Sequence, residues 1–169
     1  AFPDAKVFYE KEATKEVFEQ LAQQYRMIHF ATHGILAADA TKSHLKMADK
    51  PLTVYDIHGL ESLEGKTDLV VLSACETALQ MGKSSGEELI SVASAFANAG
   101  AQSLVASLWE VDDDATSELM TEFYRLIKAG KDQTGQVLDT LDALRLAQLH
   151  VLRLVKDGAV PFADPAYWA

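Results

Sequence analysis

The sequence has a single cysteine, Cys75, in 169 residues. No internal disulfide can form, so the fold does not depend on an oxidising compartment, and a reducing cytoplasm suits the free thiol. Clustered basic residues are missing too. Fifteen Lys and Arg stand against 25 Asp and Glu, giving a formal charge of −10, the wrong sign for a phosphate backbone, and nucleic acid is not expected as a partner. No apolar run approaches the roughly 20 residues of a membrane-spanning helix, so no membrane association is expected. One thiolate without a pair of histidines at ligand spacing makes a zinc site a poor reading, and no metal or cofactor is expected. Nucleotide motifs are lacking as well: no G-x-G-x-x-G follows a strand, and a P-loop ending at Gly82-Lys83-Ser84 would need glycine at position 77, where Thr77 stands. There is no tandem repeat and no low-complexity linker. The opening "AFPDAKVFYE" has neither an initiator Met nor a charged-then-apolar signal pattern, and a larger parent protein is expected.

With 49% hydrophobic and 24% charged residues, the chain has the composition of one globular domain, residues 1–169, with a substantial core. Its patterning alternates strands and helices. "AKVFYE" (5–10) predicts a short strand, and "TKEVFEQLAQQYR" (14–26) a helix with Val17, Phe18, Leu21, Ala22 and Tyr25 on one face. "MIHFAT" (27–32) predicts a strand. Residues 33–51 read as loop with a short hairpin around "HLKMADKPL", and Thr53 with Asp56 resembles a capping box. "DLVVLSA" (68–74) is apolar almost throughout, which predicts a strand buried on both faces. The helix "EELISVASAFANA" closes at Gly100, "QSLVASLW" (102–109) predicts another strand, and Asp112, Asp113 and Asp114 open a helix that Gly130 ends. The segment from Thr134 to about Lys156, with Leu138, Leu141, Leu144, Leu149 and Leu152, predicts a last amphipathic helix. Repeated βαβ units imply an α/β fold, a mostly parallel sheet with helices on both faces.

In such a sheet, ligands bind beyond the carboxyl ends of the strands. "MIHFAT" runs out into His33-Gly34 and "DLVVLSA" into Cys75-Glu76. If the two strands are parallel neighbours, a thiol and an imidazole face one crevice. Cysteine attacks as thiolate and a neighbouring imidazole holds its proton, so the pair suits amide hydrolysis through a thioester. Gly34 permits close approach of a substrate, and its N–H and that of Cys75 are the candidate oxyanion donors. A lone free cysteine is also a common core residue, so packing filler is the competing reading. Among the other histidines, His29 sits inside its strand and suggests a core or supporting group. His44 and His58 are expected at the surface, and His150 lies on the last helix. Trp109 and the three aspartates fall just past a strand end on the same edge, where they could line a substrate pocket or simply cap the helix.

"HFATHG", then "LSACETA" and "GEELISVASAFANAGAQSLVASLWEVDDDAT", resemble the CHAT domain, a caspase-like cysteine peptidase family, over nearly the whole chain. The resemblance implies a caspase-like three-layer sandwich, His33 as base, Cys75 as nucleophile, and a protein or peptide substrate. It also implies that tetratricopeptide repeats or another regulatory module accompany the domain in its parent protein. "SLWEVDDDAT" is similar to a segment of separase in which an aspartate recognises arginine; the matching position is Asp113, implying cleavage after a basic residue. The rival reading is a non-enzymatic interaction module that keeps the fold.

Overall fold

The strand-forming runs pair as parallel neighbours. The computed structural model describes residues 2–35, 37, 42–60, 62–73, 87–107, 111–156 and 158–168, and of 87–91 the backbone alone. Its strands are β1 (Met27–Ala31), β2 (Gly34–Ile35), β3 (His44–Leu45), β4 (Leu52–Thr53), β5 (Leu69–Ser73) and β6 (Ser103–Ala106). One sheet has the order β1-β5-β6, all parallel, and β2-β3-β4 form a small antiparallel sheet. The helices are α1 (Lys15–Leu21), α2 (Val54–His58), α3 (Glu87–Asn98), α4 (Asp113–Ala129) and α5 (Thr140–Leu152). The chain divides into two compact units, Val7–Glu110, and Ala1–Lys6 with Val111–Ala169.

In the larger unit, strand alternation decides which side chains enter the core. Phe30, Val70 and Leu72 point to one face and pack with Phe18 and Ala22 of the α1 segment, Ile57 of α2, and Val92, Ala95 and Phe96 of α3. Three of these rings meet edge to face or tilted: Phe18–Phe30 at 5.1 Å, Phe30–Phe96 at 5.6 Å and Phe18–Phe96 at 6.1 Å between centroids. Leu69 and Val71 of β5 point to the opposite face and are only 3% and 2% exposed, so the continuous apolar run correctly predicts a strand buried on both sides.

Local chemistry explains the boundaries. Thr14 caps α1 by accepting from the Val17 N–H, and the chain then tightens into a 3₁₀ turn at Ala22–Gln24. Thr53 and Asp56 form the expected capping box on α2. The expected hairpin is β3–β4, with His44 opposite Thr53 and Leu45 opposite Leu52. At Gly100 φ is +102°, and a Cβ there would sit 2.6 Å from the Glu64 nitrogen. Only glycine fits.

In the second unit Asp112 caps α4, its carboxylate accepting from the Ala115 N–H at 2.9 Å, and Gly130 ends it with φ +65°. Asp139 caps α5. The two helices pack together, and the buried face of α5 is Ala143, Ala147 and Val151, small residues that let helix axes approach. After α5 the chain returns to the start of α4, where the Asp112 N–H donates to the Tyr167 carbonyl at 3.1 Å.

Three sequence expectations are corrected here. Residues 5–9 form no strand and lead, through extended Tyr9, into a 3₁₀ turn at Glu10–Glu12; Val7 and Tyr9 are 58% and 71% exposed, and no described strand supplies a ladder for them. The last helix does not begin at Thr134. The Asp132 carboxylate takes the N–H groups of Thr134 and Gln136 and the Thr134 hydroxyl, and Gly135 adopts φ +86°. This turn stops helix formation until Asp139. Leucine periodicity also misplaces the buried face, since Leu141 is 73% exposed.

Candidate active site

At the carboxyl edge of the parallel sheet, β1 gives way to the antiparallel ribbon within two residues, Thr32 and His33. Both are pinned to one backbone unit. The Thr32 hydroxyl donates to the Lys46 carbonyl at 2.6 Å, and the Lys46 N–H donates to the His33 carbonyl at 2.9 Å. Gly34, buried, then opens β2 opposite Leu45. The segment behind His33 is itself anchored to the start of α1: the Ala48 N–H donates to the Ala13 carbonyl, and the Lys15 N–H to the Asp49 carboxylate. The Lys15 ammonium reaches Asp56 of the capping box at 2.6 Å. His33 therefore leaves the sheet on a well-tied turn with an exposed side chain.

β5 lies beside β1 in parallel register, with Ala31 and Ser73 as Cα partners on the last shared rung. Both strands thus end at one edge. In sequence, His33 follows Ala31 by two residues and Cys75 follows Ser73 by two. Cys75 and Trp109 lie outside the described residues, as do all of 74–86 and 108–110. Asp113 stands in the first turn of α4, in the second unit, exposed, while its neighbour Asp112 supplies the cap.

The histidines divide sharply. His29 is not a core residue: it is exposed on β1, and its Nε2 lies 3.1 Å from the Ser73 hydroxyl, each able to donate or accept according to the ring tautomer. The ring reaches solvent on one side, yet the protein around it desolvates the cation and lowers its pKa below the ordinary histidine value. His44 is half-buried, where the sequence predicts exposure, because β3 pairs on both edges and its Nδ1–H donates to the Lys42 carbonyl at 2.9 Å. His58 and His150 are exposed. Among the described residues no three His, Cys, Asp or Glu side chains converge in a group that could hold a metal ion, and no helix is long and apolar enough to cross a membrane.

The strands that lead toward His33 and Cys75 in sequence, β1 and β5, are parallel neighbours in one sheet, and the family model of the CHAT domain matches residues 1–169, the whole chain. The chain belongs to the CHAT domain family. A comparison with curated proteins gave no match. Two features of this CHAT domain escape sequence reasoning: the Thr32–Lys46–His33 clamp and the His29–Ser73 contact. Strand alternation gives each residue its face, but only the β1–β5 register, which is not written in either strand, brings His29 and Ser73 together.

Proposed function

We propose that this CHAT domain is a cysteine endopeptidase acting on a protein or peptide through Cys75 and His33. The observation that carries the reading is the parallel Ala31–Ser73 rung, because His33 and Cys75 each follow one of its two members by two residues. In the proposed reaction His33 takes the thiol proton and the sulfur attacks the scissile carbonyl, with the Gly34 and Cys75 amides as proposed oxyanion donors. The carbon–nitrogen bond breaks as the imidazolium gives its proton to the leaving amine. Water then attacks the thioester, His33 accepts the water's proton, and the thiol is regenerated as the acid leaves. One amide and one water become one acid and one amine; neither metal nor cofactor enters the scheme.

The finer architecture proposed is the caspase-like three-layer sandwich. It is supported by the α1 and α3 layer on the Phe30–Leu72 face and by the burial of Leu69 and Val71 on the other. Preference for a basic residue before the cleaved bond, with Asp113 as the recognising carboxylate and Trp109 as a further pocket residue, rests on the sequence resemblance alone.

The test is incubation with peptidyl chloromethyl ketones bearing Arg, Leu or Asp next to the reactive carbon, followed by intact mass and peptide mapping. Labelling at Cys75 that falls by about 100-fold or more in His33→Ala supports the dyad. Faster reaction of the Arg reagent supports the basic preference, and faster reaction of the Leu or Asp reagent sinks it. Reaction no faster than that of a free thiol favours the interaction-module reading.

A further inference from the structure

The last described rung between β1 and β5 pairs Ala31 with Ser73. Beyond that rung β1 turns away into an antiparallel ribbon. A side-chain contact also joins the two strands at this end. His29 is opposite Val71 and Ala31 is opposite Ser73, which makes His29 and Ser73 diagonal neighbours on one sheet face, and His29 Nε2 stands 3.1 Å from Ser73 Oγ. An exposed strand position is ordinarily better filled by a β-branched residue; a histidine there invites a chemical reason.

We propose that His29 is a positioning residue, which through Ser73 holds the exits of β1 and β5 at the spacing His33 and Cys75 need. The inference rests on the peptidase reading above. His29 is placed at one remove from the reaction: it precedes His33 by four residues in sequence, and its ring meets the Ser73 hydroxyl. It acts through Ser73, two residues before the nucleophile in sequence. A neutral imidazole can complete the bond in either tautomer.

The experiment uses the full chain and an Arg chloromethyl ketone peptide, separating reagent binding from the limiting rate of Cys75 alkylation. His29→Leu and Ser73→Ala are each expected to lower the limiting rate by about 2- to 12-fold, the factor expected from one hydrogen bond, with reagent binding unchanged. The double variant should be no slower than either single one, while His29→Gln and Ser73→Thr should restore most of the rate. Additive losses, a loss confined to binding, or no loss would overturn the proposal. Should His29→Leu fail to fold, Ser73→Ala and His29→Gln carry the same comparison. If wild-type Cys75 does not alkylate faster than a free thiol, the peptidase reading fails, and amide exchange along the β1–β5 ladder decides the tie by itself: faster exchange at Ala31 and Ser73 in both Leu and Ala variants keeps it, and unchanged exchange sinks it.

Discussion

The Thr32 hydroxyl donates to the Lys46 carbonyl over 2.6 Å, while the Lys46 N–H donates to the carbonyl of His33, the next residue along. The backbone of one residue, Lys46, thus holds both residues of the turn that presents the imidazole. Thr32→Val keeps the shape and removes the hydroxyl. The expected cost is about 0.5–1.5 kcal/mol, the usual net value of such a bond, read by urea unfolding, with Thr32→Ser close to wild type. A Thr32→Val protein as stable as wild type would show that the hydroxyl contributes nothing.

Gly100 makes a stricter demand. Its φ of +102° disfavours any L side chain, and an added Cβ would meet the Glu64 backbone nitrogen at 2.6 Å, next to the bond from the Leu63 N–H to the Ala99 carbonyl. Gly100→Ala is expected to destabilise by at least about 1–3 kcal/mol. Gly130→Ala is the comparison, since φ there is +65° but the space around it is open, and its cost should be only the about 1–2 kcal/mol of a left-handed residue. Equal losses in the two variants would mean that the Glu64 contact yields freely.

Much of this was legible in the sequence, for reasons that differ from residue to residue. The Thr53–Asp56 capping box, the Gly100 and Gly130 helix ends and the doubly buried β5 are local patterns with one structural solution, and each is found. The Val7–Tyr9 stretch has the same strand-like composition as β1 but no described neighbour to pair with, and a strand is not a local object. Asp132 and Gly135 broke the last helix because side-chain bonds to backbone amides compete with helix formation. Leucine spacing alone could not register that. The family resemblance pointed to His33 and Cys75, whereas the His29–Ser73 tie depends on a register that neither strand declares.

Asp56 gives the acid limb of stability a definite sign. Partial burial would raise its carboxyl pKa, but the Lys15 ammonium and the Thr53 hydroxyl and N–H outweigh this and hold it below the ordinary aspartate value. A carboxyl whose pKa is lower in the folded state contributes stability above its unfolded value, near 3.8, and loses it as pH falls through the folded value. Lys15, raised chiefly by its bond to Asp56, behaves in the opposite way, losing its contribution only as pH rises past about 10. Asp56→Asn is therefore expected to lower stability at pH 7 and to flatten its decline below pH 4. Urea midpoints measured from pH 7 down to pH 2.5 decide it; a variant whose acid decline is as steep as that of wild type would clear Asp56 of the effect.

Asp112 and Asp113 are neighbours with separable roles. Asp112 spends its carboxylate on the Ala115 N–H as the cap of α4, whereas Asp113 sits exposed in the first turn, where it adds only the general attraction of a carboxylate for a helix N-terminus. Asp112→Ala should cost about 0.5–2 kcal/mol of stability and leave the relative reaction of Arg and Leu chloromethyl ketones unchanged. Asp113→Asn should cost at most about 1 kcal/mol and, if it is the recognising carboxylate, should remove the advantage of the Arg reagent at unchanged reactivity toward Leu. The two variants measured side by side separate capping from recognition. An Asp113→Asn protein that still prefers the Arg reagent would assign the basic preference to another carboxylate, and one that loses reactivity toward both reagents alike would make Asp113 a structural residue.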